Sequence, residues 1–147
     1  MAIPFIACMV ATAAFYHLPP RVLPSIQVVE GGRPGTISVN ADGSEDLGVM
    51  QVNTRWVPRF AAITGLPAAA VQARLIADPC FNIAAAGAIM RLALTESGGD
   101  LLRAVGIYHS HTPTRANAYQ AKVLFAATQL FVRPAPPIPT FAAANRP

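Results

Sequence analysis

Glu30 is the residue whose surroundings most clearly indicate a chemical role. It ends the apolar run Ser-Ile-Gln-Val-Val-Glu and is followed directly by Gly31 and Gly32. A carboxyl beside Ile26 and Val29 would be partly removed from water, which penalises its charged form, raises its pKa and lets it donate a proton near neutral pH. A solvated glutamate at a helix end is the alternative, and for a single glutamate it is the commoner role.

Other polar residues that could do chemistry give weaker signals. Asp42 and Asp46 lie in the segment Asn-Ala-Asp-Gly-Ser-Glu-Asp, where Asx-type hydrogen bonds within a turn are the expected role, above all for Asp42. His17, His109 and His111 have no neighbouring acidic residues in the sequence, so we expect no metal site. No Gly-x-Gly-x-x-Gly, Walker or Gly-x-Ser-x-Gly motif is present.

Composition predicts a small, helical, globular domain. The 147 residues (15.4 kDa) are 53% hydrophobic and 12% charged, with a mean hydropathy of +0.41, which excludes a disordered chain and fits one domain. The net charge is +4, but the basic residues are dispersed, so we expect a general positive field and no nucleic-acid partner. The charge-free run Met1–Leu18 contains Pro4 and His17, so no transmembrane segment is predicted.

Proline, glycine and apolar periodicity divide the chain into helices around one β-region. Ile37 and Val39 alternate with polar residues ahead of an Asn-Ala-Asp-Gly turn, which predicts a β-region within residues 36–47. Asp78-Pro79 is a strong capping pair for a helix start. The proline-rich segment 133–147 is predicted to be a flexible tail. The predicted helices cover residues 4–16, 20–30, 48–53, 56–63, 65–76, 79–95, 100–108 and 117–132.

The two cysteines, Cys8 and Cys80, leave the redox environment open. They could form one disulfide in an oxidising compartment or remain buried thiols in the cytosol. A bond between them would close a loop of roughly 70 residues and contribute about 4 kcal/mol to stability in the chain-entropy model. The apolar stretch Met1–Ala14 has features of a secretory signal but lacks a basic start, and cleavage after it would remove Cys8. We therefore predict that it is the first helix of the mature domain, and that any export signal is missing from this chain.

The segment after Glu30 resembles a known family. Gly48–Asn53, which reads Gly-Val-Met-Gln-Val-Asn, is similar to the Gly-Leu-Met-Gln-Ile-Asn motif of lytic transglycosylases that carry the soluble-lytic-transglycosylase (SLT) domain of the lysozyme-like superfamily. An Asp-Pro-Cys-x-Asn-Ile segment and a tyrosine-containing loop before the last helix add to the likeness. The resemblance covers Cys8–Phe131. It is strongest to family members that are encoded with type IV secretion, conjugation and type III secretion systems.

This resemblance implies a mainly α (α+β), lysozyme-like fold: a helical domain over residues 1–132, with a small β-region after the helix of the catalytic glutamate. It also implies a Cys8–Cys80 disulfide and therefore a periplasmic location. Glu30 would be the catalytic acid and base, with no cofactor and no metal. Asp46 matches the second carboxylate of c-type lysozymes, although bracing its turn is the commoner role. Four positions would bind the substrate or pack beside it: Ser38, Met50, Gln51 and Tyr108.

The chain departs from the family pattern at two positions. The usual Glu-Ser is Glu30-Gly31 here, which removes a small hydroxyl, and the usual Tyr-Asn is Tyr108-His109, which leaves the role of His109 open. Met50 could also be a plain core residue, Gln51 could brace the β-region, and Tyr108 could be an ordinary half-buried aromatic.

The activity implied by the resemblance is cleavage of the β-1,4 bond between N-acetylmuramic acid (MurNAc) and N-acetylglucosamine (GlcNAc) in peptidoglycan, leaving 1,6-anhydro-MurNAc ends. The expected setting is local cell-wall remodelling during assembly of a secretion or conjugation apparatus. The expected partners are peptidoglycan glycan strands and components of a type IV or type III apparatus. Two alternatives remain open: a muramidase that uses Glu30 and Asp46 with water as acceptor, and a catalytically inactive glycan-binding component.

Overall fold

The computed structural model describes residues 2–132, which form seven α-helices, one 3-10 helix and three short β-strands. In chain order they are α1 (Ile6–Phe15), α2 (Val22–Glu30), β1 (Ile37–Val39), β2 (Glu45–Leu47), β3 (Val52–Asn53), the 3-10 helix (Thr54–Trp56), α3 (Val57–Thr64), α4 (Ala68–Ala77), α5 (Pro79–Glu96), α6 (Leu101–His109) and α7 (Pro113–Phe131). The predicted β-region after the second helix is confirmed. The tail predicted for residues 133–147 lies outside the described residues.

Within residues 2–132 no single helix is long and apolar enough to cross a membrane. One pair of helices, Thr54–Thr64 and Ala68–Ala77, has the length and composition of a membrane span when the two are counted together, but the pair is sharply bent.

Helix α5 occupies the centre of the helical domain. It packs against α1, α4 and α6, and its side chains Ile83 and Met90 have no exposed surface. Helix α7 packs against α2 and α6. One continuous hydrophobic cluster extends from Met9 in α1 to Val123 in α7. Each fully buried aliphatic side chain stabilises the fold by about 1.5–3 kcal/mol, so this core holds the end of α2, and with it Glu30, firmly against α7.

Helices α1 and α5 approach each other closely and are joined covalently. A Cβ at Gly87 in α5 would lie 2.2 Å from Thr12 Cγ2 and 3.0 Å from Tyr16 Cδ2, so only glycine allows this contact. The Cys8–Cys80 disulfide links the same two helices, with a Cα–Cα distance of 5.3 Å. The disulfide implied by the resemblance is therefore confirmed.

The three strands form an antiparallel sheet in the order β1-β2-β3. Its register pairs Ser38 with Asp46, and Asp46 with Asn53, so these three side chains lie on one face of the sheet. The turn between β1 and β2 is of the predicted Asx type, because Asp42 Oδ1 accepts hydrogen bonds from the backbone N–H of Ser44 (3.0 Å) and from its hydroxyl (2.6 Å). The small sheet thus presents a row of polar side chains.

The helix predicted over residues 48–53 is wrong, because this segment is a tight turn that leads into β3. Gly48 has a φ of +67° and Gln51 a φ of +51°, and these left-handed conformations break a right-handed helix. Position 48 also requires glycine for space, because a Cβ there would lie 2.2 Å from the carbonyl oxygen of Leu75.

Helix starts follow local capping signals, with one shift. Asp78 accepts a hydrogen bond from the backbone N–H of Phe81 at 3.0 Å, and α5 begins at Pro79 as predicted. Helix α7 begins at Pro113 rather than at residue 117, because proline fits the first turn of a helix. The earlier start places Arg115 in the first turn of α7, on the same face of the helix as Tyr119.

Candidate active site

Glu30 lies at the end of α2, where two glycines bring the chain against the turn that follows β2. Gly31 ends the helix with a φ of +65°, and its N–H donates to the carbonyl of Gln27 at 2.8 Å. Gly32 passes directly over the backbone of Gly48, whose carbonyl oxygen would lie 2.1 Å from a Cβ at position 32. The glycine pair therefore places the catalytic candidate at the junction between the helical domain and the β-region.

The Glu30 carboxyl is held by Tyr119, a residue that the sequence analysis did not select. Tyr119 Oη donates a hydrogen bond to Glu30 Oε1 at 2.5 Å, and Tyr119 is only 4% exposed. The two residues are 89 positions apart, and no local motif marks the tyrosine. The one sequence feature that could have identified Tyr119 is its spacing from Val123 and Ala126, which predicts that all three lie on the buried face of α7.

Burial raises the pKa of Glu30 above its usual value. The hydrogen bond from Tyr119 and the charge of Lys122 act against this effect, while the negative charge of Asp46 adds to it. Desolvation is the largest of these influences, so the predicted upward shift of the pKa is confirmed. The half-buried carboxyl is therefore biased towards the protonated form that a general acid requires.

A cleft of about 930 Å³ opens beside Glu30. Of the predicted site residues, it brings together Glu30, Asp46, Gln51 and Tyr108. Ser38 and Met50 do not line it. Its volume is near the upper end of the range of ligand sites, which suits an extended ligand. Further residues on its wall were not selected from the sequence, among them Asn40, Asn53, Trp56, Arg59 and Ile107.

Ser38 and Gln51 form a pair within the β-region. Ser38 Oγ donates a hydrogen bond to Gln51 Oε1 at 2.7 Å, and Gln51 Nε2 donates to the carbonyl of Gly48 at 2.9 Å. The Gln51 carboxamide is thereby oriented on the cleft wall, with one amide hydrogen and one oxygen lone pair still free. Ser38 does not line the cleft itself, and it supports the Gln51 side chain from behind the cleft wall.

Met50 requires a correction, because its side chain is fully buried and does not reach the cleft. The turn that contains it is held by Asn82, a buried residue of α5 whose role was not predicted from the sequence. Asn82 Oδ1 accepts from the N–H of Met50 at 2.8 Å, and Asn82 Nδ2 donates to the carbonyls of Leu47 (2.7 Å) and Leu75 (2.8 Å). Met50 therefore belongs to the core and supports the turn from beneath.

Asp46 is fixed by two asparagine amides. Asn40 Nδ2 donates to Asp46 Oδ2 at 3.0 Å, and Asn53 Nδ2 donates to Asp46 Oδ1 at 2.8 Å. Both amides also contact Ser44 Oγ, at 3.1 and 3.0 Å. Asp46 thus braces the β-region, while its charge is close enough to raise the pKa of Glu30.

Tyr108 and His109 lie at the end of α6 on the cleft wall. Tyr108 is half-buried and burial raises its pKa, so its hydroxyl remains protonated and can donate a hydrogen bond. The ring of His109 is stacked on Tyr119, with 4.4 Å between centroids and 3° between planes. Partial burial of the ring, together with the positive charge of Lys122, lowers the pKa of His109 and favours its neutral form. The open question about His109 is thus answered in part: it packs against the tyrosine that holds Glu30.

The histidines do not converge on a metal centre. Among residues 2–132, no group of three or more His, Cys, Asp or Glu side chains is arranged to hold a metal ion. His111 Nε2 is hydrogen-bonded to Glu96 Oε1 at 2.8 Å, whereas His109 is stacked on Tyr119.

The fold and the site together define a class of protein. A half-buried acid at a helix end faces a cleft with many polar lining residues, one wall of which is a small antiparallel sheet in an otherwise helical domain. An acid of this kind, with hydrogen-bonding groups along the cleft, is suited to protonating a bridging oxygen of a bound polysaccharide. These are the features of lysozyme-like domains that cleave glycans.

The chain belongs to the SLT family, because the family model described as the Transglycosylase SLT domain matches residues 7–126. The resemblance stated from the sequence and the lysozyme-like, mainly α fold are thereby confirmed. SLT domains act on cell-wall peptidoglycan.

The chain is also similar to three curated relatives, each named Invasion protein IagB, from two strains of Salmonella typhimurium and from Salmonella typhi. Each is 29% identical over 112 residues, which are 75% of this chain and 66% of the relative. The chain therefore spans just under two thirds of the length of these relatives.

Proposed function

We propose that this protein is a peptidoglycan lytic transglycosylase in which Glu30 serves first as acid and then as base. The observation that carries the proposal is the state of Glu30, which is half-buried on the cleft, raised in pKa by burial, and hydrogen-bonded through Oε1 to Tyr119. Gln51 and Tyr108 would bind the sugar in the cleft, and Ser38 would hold Gln51 in position. Family membership supports peptidoglycan as the substrate.

The first step is protonation of the bridging oxygen. Because Tyr119 donates to Oε1, Oε1 is the accepting oxygen of the protonated carboxyl and the acidic proton lies on Oε2. Glu30 Oε2 gives this proton to the β-1,4 oxygen as the bond from C1 of MurNAc to that oxygen breaks, so GlcNAc leaves as an alcohol. Positive charge develops at C1 of MurNAc. The resulting carboxylate is stabilised by the Tyr119 hydroxyl and by the charge of Lys122.

The second step uses a nucleophile that the substrate supplies. The C6 hydroxyl of the same MurNAc attacks C1, and Glu30 takes the hydroxyl proton as the 1,6-anhydro bond forms. Glu30 returns to its protonated state, and no water is consumed. The attack is intramolecular, so one protein carboxyl is sufficient and neither a metal nor a cofactor takes part in this scheme.

A muramidase is the second candidate, because Asp46 lines the same cleft and its charge acts on Glu30. In that reaction Asp46 would stabilise the developing positive charge while water attacks C1. Both Asp46 oxygens already accept hydrogen bonds from asparagine amides, which lowers their nucleophilicity and favours the first candidate. If Asp46→Asn leaves turnover unchanged, the two-carboxylate reaction is excluded.

The decisive experiment is mass analysis of the fragments released from purified sacculi. We expect the wild-type protein to release muropeptides whose MurNAc ends lack one water, and Glu30→Gln to lose activity by about 10²- to 10⁴-fold, the usual contribution of general acid–base catalysis. Glu96→Gln, at an exposed carboxyl outside the cleft, is the matched control and should remain active. Full activity in folded Glu30→Gln would refute the proposal. Wild-type protein that pellets with sacculi but releases nothing would indicate an inactive glycan-binding component.

We also propose a periplasmic location and a role in local wall opening for a secretion or conjugation apparatus, with its components as partners. The disulfide supports an oxidising compartment, and the relatives carry the name invasion protein. A tagged protein should fractionate with the periplasm, and cells that carry only the Glu30→Gln protein should assemble fewer complexes. Assembly at the wild-type level in those cells would contradict this role.

A further inference from the structure

A second cavity, of about 450 Å³, begins at Glu30 and runs along α7. It shares Glu30, His109 and Arg115 with the main cleft, so the two spaces meet at the candidate acid. Beyond this junction its wall is formed largely by α7, down to Lys122. Nothing in the proposed cleavage of the glycan strand requires this second space.

The α7 residues that line the second cavity form one face of the helix. They are Arg115, Ala118, Tyr119 and Lys122, at the spacing i, i+3, i+4 and i+7 that places side chains in one stripe. Tyr119 is buried and forms the floor, and the small side chain of Ala118 leaves the space open. The two cations lie at either end, about 10 Å apart along the helix axis, since each residue rises 1.5 Å.

The charge of the second cavity is positive. Its lining contains one acidic residue, Glu30, which burial biases towards the neutral form, and His109 is biased towards neutrality as well. The ion pairs among residues 2–132 use neither Arg115 nor Lys122. Lys122 is the only lysine of the chain, which otherwise uses arginine. Two cations that lie along one groove and outside these ion pairs are suited to an extended ligand that carries carboxylates.

We propose that the second cavity is a subsite for carboxylates on the substituent of the MurNAc ring that is cleaved at Glu30. This inference rests on the proposed function. C3 belongs to the ring whose C1 would react beside Glu30, so its substituent starts close to this residue, which also lines the second cavity. In peptidoglycan this substituent is a lactyl group extended by a peptide stem with free carboxylates, and an extended peptide of about three residues spans the distance from Arg115 to Lys122.

The test compares three substrates that differ only in this substituent. The first carries the peptide stem, the second is a peptide-free MurNAc–GlcNAc strand with a free lactyl carboxylate, and the third is a chitin oligosaccharide with neither. The test variant is Arg115→Gln combined with Lys122→Gln. The charge-conserving pair Arg115→Lys with Lys122→Arg is the rescue variant, and Arg103→Gln, an exposed arginine outside both cavities, is the control.

For the stem-bearing substrate we expect the neutralised variant to raise KM by about 10-fold, or about 1.4 kcal/mol. Because the charge of Lys122 also acts on Glu30, any change in kcat should be equal for the three substrates. The effect should shrink at high salt, because exposed charges are screened, and the charge-conserving pair should restore much of the affinity. A loss confined to the peptide-free strand would assign the same subsite to the lactyl carboxylate instead of the stem. An equal rise in KM for chitin oligosaccharide, or no rise in KM for any substrate, would overturn the proposal.

A binding measurement separates this inference from the proposed activity. Free stem peptide should bind the Glu30→Gln protein, and binding should weaken when Arg115 and Lys122 are also neutralised. This readout needs no turnover, so a wild-type protein that cleaves no glycan would end the proposed function without deciding the subsite. Equal peptide affinity with and without the two cations would overturn the subsite, whatever the activity.

Discussion

Glu30 is under two opposing influences, which would suit the release and recovery of a proton in the proposed reaction. Burial favours the neutral acid, whereas the hydrogen bond from Tyr119 and the charge of Lys122 favour the carboxylate. A residue buried without such partners would hold its proton too tightly to donate it, and a fully solvated one would already have lost it at neutral pH. Tyr119 is therefore a positioning residue that also adjusts the acidity of Glu30.

Replacing Tyr119 with phenylalanine should raise the pKa of Glu30 further, because a hydrogen bond that stabilises the carboxylate is lost. The alkaline limb of the kcat/KM profile on peptidoglycan should therefore move to higher pH. We expect kcat to fall by about 10- to 100-fold, the range for losing a hydrogen bond to a charged group. Tyr16→Phe, in α1, is the control. An unmoved alkaline limb in Tyr119→Phe would show that the tyrosine does not set the acidity.

Glu30→Gln should stabilise the fold at alkaline pH. Below the usual glutamate pKa of 4.5, Glu30 holds its proton in both folded and unfolded states, so the substitution should change little there. Because the folded pKa is raised, the wild-type protein loses stability as the pH rises through it, and the neutral amide does not. Thermal unfolding at pH 4 and pH 8 measures the difference, with Glu96→Gln as the exposed control. A Glu30→Gln protein less stable than the wild type at pH 8 would contradict the burial argument.

At the scale of the elements, the most consequential connection is the one Asn82 makes. This buried side chain joins α5 to the end of β2, to the turn at Met50 and to the last part of α4 through three hydrogen bonds. The turn carries Gln51, and Gly32 packs on it immediately after Glu30. The distance between the two walls of the cleft therefore depends on a buried residue that does not line the cleft.

Asn82→Ala should destabilise the protein by about 2–4 kcal/mol, because three buried backbone groups lose their partner. Asn82→Asp separates the two kinds of hydrogen bond, since it keeps the acceptor for Met50 but loses the N–H groups that donate to Leu47 and Leu75. Denaturant unfolding gives the stabilities, and Asn117→Ala, at an exposed asparagine of α7, is the control. If Asn82→Ala were as stable as the control, the turn would have another support.

At the scale of the whole molecule, the candidate active site depends on two long-range connections. Packing of α7 on α2 brings Tyr119 to Glu30 across 89 residues. The Cys8–Cys80 disulfide joins α1 to the start of α5, the helix that carries Asn82. The first connection builds the site, and the second holds the central helix that supports it.

Loss of the disulfide should cost about 3–4 kcal/mol, since it closes a loop of 72 residues. The double variant Cys8→Ser with Cys80→Ser should unfold at a lower temperature than the oxidised wild type. A reductant should lower the unfolding temperature of the wild type to about that of the variant and leave the variant unchanged. Equal unfolding temperatures for oxidised and reduced wild type would show that the bond contributes little to stability.

Several features of the fold and the site could be predicted because their signals are local. Asp78-Pro79 starts α5 and the Asx turn at Asp42 forms as expected, since a side chain there bonds to backbone only a few residues away. Glu30 could be selected because its apolar neighbours allow partial desolvation and the family resemblance assigns it a role, and the disulfide also followed from the resemblance. The helix predicted over residues 48–53 failed, because contacts with α4 and α5 override local helical preference there.

The sequence alone determined the family and most of the helix order, and it selected Glu30 as the candidate acid, since each depends on short runs of residue types. Only the tertiary structure decided that Tyr119 holds Glu30, that Met50 lies in the core, and that Arg115 and Lys122 share a groove with the acid. Such neighbours meet because helices pack at a particular angle and offset, and these depend on the whole core rather than on any local pattern.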